Sequence, residues 1–178
     1  MKAITRISAA ILLLVLVGRS YTAGAQSLKK SWSVGFGIEA GLPEADAKDL
    51  YSFTGGMTVR FSYRLGHGFA TFTTGAVGYA PKTDDINLKA GIQVPFKAGY
   101  KYIILRHFFV MGEAGYSAFR AYYKDLSDKT QYTDNGGFTY APTIGIQAGA
   151  LELGVRYETV RTGGLNIAHA GLRLGFNF

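Results

Sequence analysis

The 178-residue sequence contains no cysteine, so no disulfide can stabilise it and its fold must rest on its own core or on lipid. Only 17% of its residues are charged, below the share of about 25% that is usual for soluble globular domains. It has no apolar run of the roughly 20 residues that a membrane-spanning helix needs. Metal-ligand spacings, phosphate loops and an HExxH motif are also missing, and the basic residues are scattered. We therefore expect no metal, no cofactor and no nucleic-acid partner.

Residues 1–25 have the three parts of a secretory signal peptide. Two basic residues precede an apolar run over 9–17, and an Ala-Gly-Ala cleavage pattern ends at residue 25. The apolar run is too short for a membrane anchor. We expect an exported protein whose signal peptide, 1–25, is cleaved and whose single domain covers 26–178.

Glycine and aromatic residues are abundant, with 24 glycines, 12 tyrosines and 12 phenylalanines, and they fall into runs with the period of a β-strand. In the closing run, apolar Leu172, Leu174, Phe176 and Phe178 alternate with small or polar residues. Eight such strands are predicted: 31–42, 52–63, 69–79, 88–103, 108–119, 137–148, 151–160 and a closing strand that ends at 178. In the third of these, threonine and alanine fall on both faces, so its facing stays open.

The predicted connections alternate between short and long. Short ones lie near 64–68, 104–107 and 149–150. Longer polar ones lie near 43–51, 80–87 and 120–136, with a compact fourth near 161–165. This asymmetry is typical of membrane barrels with short periplasmic turns and longer external loops.

The main alternative is a soluble, lipocalin-like barrel, whose apolar face would point inward. The polar face here is mostly glycine, serine, threonine and alanine, which suits a narrow interior better than a solvated surface. Aromatic residues of the apolar face form two belts at the strand ends, as in membrane barrels. The belts comprise Trp32, Phe61, Tyr63, Tyr100, Tyr102, Phe108, Phe176 and Phe178 at the short-turn end, and Phe53, Tyr79, Tyr116, Phe138 and Tyr140 at the other.

Five segments carry a resemblance to a known family: VPFKAGYKY (94–102), FFVMGEAGYS (108–117), YAPTIGIQ (140–147), LELGVRYE (151–158) and GLRLGFNF (171–178). The chain resembles the small outer-membrane β-barrels, such as the OmpA transmembrane domain and OmpX, and above all the Bacteroidetes-type outer membrane protein beta-barrel domain. The resemblance implies an all-β fold, an eight-stranded antiparallel up-and-down transmembrane β-barrel in the bacterial outer membrane. It also implies outer-membrane lipids and the outer-membrane assembly machinery as partners. The closing residues Leu172, Leu174, Phe176 and Phe178 resemble the signal which that machinery reads.

The polar face predicts a charged interior. It comprises Glu39, Arg60, Lys97, Glu113, Gln147, Glu152, Arg156, Glu158, His169 and Arg173. Unpaired buried charges are costly, so we expect a network of ion pairs that plugs the lumen. An interior of eight strands is just wide enough for side chains to fill it. A gated pore is the alternative.

A two-residue turn at Gly163-Gly164 would place Glu158 across from His169, Arg173 across from Gly154, and Arg156 across from Gly171. The His–Glu pair resembles part of the site of barrel lipid deacylases. A nucleophilic serine near His169 is lacking, because Ala170 and Gly171 follow it. We expect a hydrogen-bonded pair and no catalytic site.

The sequence thus predicts a monomeric outer-membrane protein with a structural or cell-surface interaction role and no enzymatic activity. The loop 120–136 is the candidate for binding an extracellular ligand. A small solute channel or binder is the first alternative, and a lipid-modifying enzyme is the second. Pro95 and Pro142 fall inside predicted strands, where we expect β-bulges.

Overall fold

The computed structural model describes residues 31–82, 88–124, 130–162 and 164–178. The predicted signal peptide lies outside the described residues. Within the described ranges, no helix is long and apolar enough to cross a membrane.

The described residues form eight antiparallel strands and one short helix. The strands are β1 (Trp32–Ala45), β2 (Tyr51–Leu65), β3 (Gly68–Pro81), β4 (Leu88–Ile104), β5 (Phe108–Lys124), β6 (Thr130–Ala148), β7 (Leu151–Thr162) and β8 (Leu165–Asn177), and the helix α1 is Ala47–Leu50. Each strand pairs with its neighbours in chain order, and β8 pairs with β1 to close the barrel. The predicted all-β, eight-stranded, up-and-down barrel is confirmed.

The apolar face of the sheet points outward and the polar face points inward. On β1, Phe36 and Ile38 are 53% and 61% exposed, whereas Glu39 is 6% exposed. In the described strands, no charged side chain points outward between the two aromatic belts. A continuous apolar exterior of this kind is unfavourable in water but favourable in contact with lipid. The molecule therefore has a membrane barrel's exterior, and the soluble, lipocalin-like alternative is wrong.

Tyr79 was predicted in the outer aromatic belt, and this is wrong. Its ring is 1% exposed, and it points into the barrel together with Val77, whereas Phe72 and Ala76 of the same strand face outward. Alternation alone could not decide this strand, because its threonines and alanines suit either face.

The predicted loop 120–136 is largely wrong, because β5 and β6 continue through it. Cross-strand pairs run from Arg120↔Asp134 to Lys124↔Thr130. We call residues 120–124 and 130–136 the outer ribbon. Its sequence is polar on both faces, so it shows no apolar alternation, as expected of a strand pair that lies beyond the lipid. The predicted loop 43–51 is also partly ordered: β1 runs to Ala45, and α1 follows.

The two strand prolines do not produce the predicted bulges. Pro95 pairs with Ser117 of β5, and Pro142 pairs with Gly112 of β5. On the other side, the hydrogen-bonded ladder is interrupted between Pro95 and β3 and between Pro142 and β7. Beyond each interruption it resumes in the same register. Each proline therefore turns its missing N–H towards a single neighbour.

The short turns use different residue types at their positive-φ positions. Gly66 and Gly149 have φ angles of 59° and 61°, in the region that glycine adopts without steric cost. The β4–β5 turn instead places Leu105 and Arg106 at 47° and 65°. Such conformations are strained for residues with a Cβ.

The seam between β1 and β8 extends over eleven paired positions, from Gly35↔Asn177 to Ala45↔Ile167. The Phe178 N–H donates to the Val34 carbonyl at 2.8 Å, and the Phe178 ring meets Phe36 edge-on with centroids 6.1 Å apart. The closing residues 172, 174, 176 and 178 lie on the outer face of this seam.

Engineered cysteines can test this closure, because the chain has no native thiol. Ala40 pairs with Leu172 across the seam, and paired positions have the Cα separation that a disulfide needs. We expect A40C/L172C to cross-link on oxidation and to change mobility on a denaturing, non-reducing gel. The matched variant A40C/L174C is two residues out of register and should remain open. Equal cross-linking of both variants would contradict the register.

Candidate functional site

The barrel interior holds a column of charged side chains. Of the ten residues predicted for the interior, eight that form the predicted charged network lie inside and are buried: Glu39, Arg60, Lys97, Glu113, Arg156, Glu158, His169 and Arg173. Glu152, Lys101 and Gln93 are buried beside them, and Gln147 is half-buried. Four carboxylates therefore meet five cations, without counting the histidine.

Arg156 of β7 lies at the centre of this column. One of its Nη atoms donates to Glu39 Oε1 of β1 at 2.6 Å, and the other donates to Glu113 of β5. Thr58 and Thr73 donate to the same two carboxylates at 2.9 and 2.5 Å. This arrangement holds β1 and β5 together through the interior.

Glu152 organises the end of the column nearer the short turns. Its Oε1 accepts from Arg60 at 2.6 Å and from Arg173 at 2.9 Å, and its Oε2 accepts from Lys101 at 2.5 Å. The Lys101 ammonium also lies 4.4 Å from the centroid of the Phe109 ring. One carboxylate thus serves three cations from β2, β4 and β8.

Small residues on the same and the neighbouring strand make room for these long side chains. An ideal Cβ on Gly37 would lie 2.5 Å from the guanidinium carbon of Arg173, and one on Gly175 would also overlap that group. These glycines complement the large side chains that fill the interior.

The other end of the column joins Glu158 to His169 through an amide and a phenol. The register that the Gly163-Gly164 turn predicted is confirmed, with Glu158 opposite His169. Glu158 accepts from Lys97 and, at 2.6 Å, from Gln93. The Tyr79 hydroxyl donates to Gln93 Oε1 at 2.7 Å and lies 2.9 Å from His169 Nδ1. Since that hydroxyl has one proton, His169 Nδ1 acts as the donor to Tyr79.

Sequence reasoning missed Tyr79, Gln93 and Lys101 as members of the network. Gln93 and Lys101 lie on the polar face of β4, so the alternation carried a signal for both. Tyr79 offered none, because an aromatic residue near a strand end is also typical of a belt.

An apolar cap covers the outer end of the interior. Tyr51, Tyr79 and Phe119 meet edge-on, with centroids 5.2 to 6.3 Å apart. Ala47 of α1, with Val77, Val160 and Ile167, completes the cluster. The charged column is therefore separated from the outer mouth by packed rings.

Glu39, Glu158 and His169 bring ligand atoms within 4.8 Å of one another, which is the spacing of a possible metal site. Both carboxylates are already paired, Glu39 with Arg156 and Glu158 with Lys97. A cation would have to displace these partners, so the arrangement is better suited to ion pairing.

The outer ribbon is held by side-chain pairs on its outward face. Arg120 donates to both carboxylate oxygens of Asp134, at 2.5 and 2.9 Å, and lies 4.6 Å above the Tyr132 ring. The Tyr122 and Tyr132 rings pack at 6.4 Å. The hydrogen bonds from Arg120 hold the pKa of the Asp134 carboxyl below its usual value. All four side chains lie beyond the aromatic belt.

The ribbon also has a free edge. β6 pairs with β5 from Thr130 onward, but among the described residues its pairing with β7 begins only at Phe138. Among the described residues, 130–136 therefore have no strand partner on that side, where backbone groups can bind an extended segment.

No protein-family model and no curated protein matches the chain. Solved structures of small barrels do match it. The attachment invasion locus protein Ail of Yersinia pestis is 12% identical, with a TM-score of 0.62 over 83% of this chain and 97% of that one. The N-terminal β-barrel domain of Pseudomonas aeruginosa OprF is 16% identical, with a TM-score of 0.58 over 81% and 97%. Neisserial surface protein A (NspA) is 12% identical, with a TM-score of 0.57 over 84% and 98%.

The shared fold and the apolar exterior define the class of this molecule. It is an eight-stranded β-barrel of the Gram-negative outer-membrane type, and its exterior places it in the outer membrane. The finer resemblance to the Bacteroidetes-type domain rests on the five sequence segments alone.

Arg156→Met tests how strongly the column stabilises the barrel. Because the change leaves Glu39 and Glu113 buried without their main cation, we expect a loss of about 3–5 kcal/mol in the free energy of unfolding. Urea unfolding in lipid vesicles, followed by the fluorescence of the single tryptophan, Trp32, measures it.

The matched control is Arg120→Met, which breaks an ion pair on the exposed ribbon. Exposed pairs contribute little, so its unfolding midpoint should stay near that of the wild type. If both variants unfold at the same urea concentration, the column does not stabilise the barrel.

Proposed function

We propose that this protein displays the outer ribbon at the cell surface, on a barrel whose interior is sealed. The observation that carries this proposal is the ribbon itself: a strand pair that extends beyond the lipid, is ordered by its own side chains and leaves one edge unpaired. The interior supports it, because ion pairs and the apolar cap occupy the space that a channel would need.

The ribbon has the features of a recognition surface. A free strand edge offers a row of backbone donors and acceptors to an extended partner. Tyrosines supply large contact area at low entropic cost, and Arg120 is already oriented by Asp134 and Tyr132. Ail, which shares the fold, is an attachment and invasion protein and has been solved with the heparin analogue sucrose octasulfate. These properties favour an attachment role and a ligand at the cell surface.

A shortened ribbon tests this function. Joining residue 120 to residue 134 through a two-residue turn removes most of the ribbon and keeps the β5–β6 pairs below it. We expect cells that display the variant to lose attachment to surfaces coated with heparin or with cultured cells. Retained heat-dependent gel mobility would show that the variant still folds.

The matched control is a substitution of Lys48 and Asp49 on α1, which also lies at the outer end. It should attach like the wild type. Equal attachment of the wild type and the shortened variant would overturn the proposed function.

A channel is the second candidate, and conductance decides it. Because the column and its cap fill the interior, we expect no steady ohmic current from the purified protein in planar lipid bilayers. Steady conductance that scales with salt concentration would favour the solute channel instead.

We also infer that the protein is not an enzyme. Among the described residues, the hydroxyl that contacts His169 is that of Tyr79, beneath the apolar cap, and it donates to Gln93. An acyl change in lipid A that depends on the protein and is abolished by His169→Ala would contradict this inference.

For biogenesis, we propose that residues 1–25 direct export and that Leu172, Leu174, Phe176 and Phe178 form the assembly signal of a monomeric barrel. These four alternating residues lie on the outer face of the seam. Unchanged assembly of a Phe178→Ala variant in cells would contradict the role of the signal.

A further inference from the structure

The lipid-facing wall carries a groove that begins at the β4–β5 turn. Its lower part, of about 460 Å³, starts beside Ile104 and Phe108. Its upper part, of about 640 Å³, reaches Gly112 and Pro142. Val110, Ile144 and Val155 line both parts, so the two form one depression that rises from the membrane surface into the hydrocarbon region.

Gly112 creates the depth of the upper part. It lies laterally between Tyr100 of β4 and Pro142 of β6. A Cβ built on Gly112 would have no neighbour within 4 Å, so the space in front of it is open. Tyr100, Tyr102, Val110 and Ile144 surround this open space, so the outer wall is indented at Gly112.

The open end of the groove is basic. Arg106 and His107 are exposed in the β4–β5 turn, and Arg64 and His67 are exposed at the neighbouring β2–β3 turn. The Tyr100 hydroxyl donates to the Leu65 carbonyl at 2.7 Å and so links the groove wall to that second turn. In the described part of the chain, the acidic side chain at this end is Glu152, which is buried and paired inside the barrel.

The β4–β5 turn keeps these side chains at a conformational cost. Leu105 and Arg106 occupy the positive-φ positions for which the other two short turns use glycine. Leu105 is 81% exposed at the tip. Residues in such conformations persist where the surrounding structure holds them, and they cluster at functional and binding sites. An exposed leucine beside an arginine suits the boundary between lipid headgroups and water.

We infer that this groove is a binding site for an anionic glycerophospholipid of the periplasmic leaflet. One acyl chain lies along Val110 and over Gly112, and the phosphate-bearing headgroup lies against Arg106 and His107. An acyl chain matches the apolar lining, and negative charge matches an end whose exposed charged side chains, among the described residues, are basic. Both contacts come from one hairpin, so the site is complete within a single molecule.

Native mass spectrometry of the detergent-purified protein tests the site, with phosphatidylglycerol and phosphatidylcholine of identical acyl chains as probes. The wild type should retain phosphatidylglycerol preferentially. Arg106→Asn removes the charge but suits the positive φ, so it should lower phosphatidylglycerol retention about fivefold, the contribution of one basic residue near an anionic surface. Its retention of phosphatidylcholine and its thermal stability should not fall.

Gly112→Leu fills the groove and should lower the retention of both lipids, because it removes the acyl site. The matched controls are Ala76→Leu, at another lipid-facing small residue, and Arg161→Gln, at the opposite rim; both should behave like the wild type. Inorganic phosphate should not displace the lipid. Heat-dependent gel mobility confirms that each variant is folded. Equal retention of the two lipids by the wild type, or unchanged retention in both Arg106→Asn and Gly112→Leu, would overturn the inference.

Discussion

The hydrocarbon core of a membrane offers no water to the backbone, and this constraint shapes the whole molecule. Every N–H and C=O in the wall must pair with a neighbouring strand, so the sheet has to close on itself. The seam between β1 and β8 meets that requirement. Closure with eight strands leaves a narrow interior. Large side chains therefore need small neighbours on the inner face, as Gly37 and Gly175 are for Arg173.

In this narrow interior, the charged side chains also specify how the strands pair. β7 places Glu152, Arg156 and Glu158 on its inner face, and they reach partners on β1, β2, β4, β5 and β8. Shifting β7 by one residue would turn all three towards lipid, at a large cost in desolvated charge. The network thus selects one register for the barrel, in addition to any net stability that it contributes.

Sequence reasoning succeeded where one physical signal dominated. Alternation predicted the facing of most strands, and a two-residue turn predicted that Glu158 lies opposite His169. It failed where two environments favour the same residue type. Tyr79 suits a belt or a buried hydrogen bond, and only the packed interior decides between them. The outer ribbon has water on both faces, so its strands lose the apolar period by which strands are predicted.

Apart from the two strand prolines, the departures from local rules described above lie at the two rims of the barrel. The sequence of the wall is tightly constrained, because side chains on one face must suit lipid and those on the other face must suit a packed, charged interior. Water can satisfy the backbone at the rims, so the unpaired edge at 130–136 and the strained Leu105–Arg106 turn are tolerated there. Natural proteins depart from local sequence rules mainly at functional sites and offset the cost elsewhere in the fold. The unpaired outer edge and the strained turn are the features on which the proposed attachment role and the proposed lipid site rest.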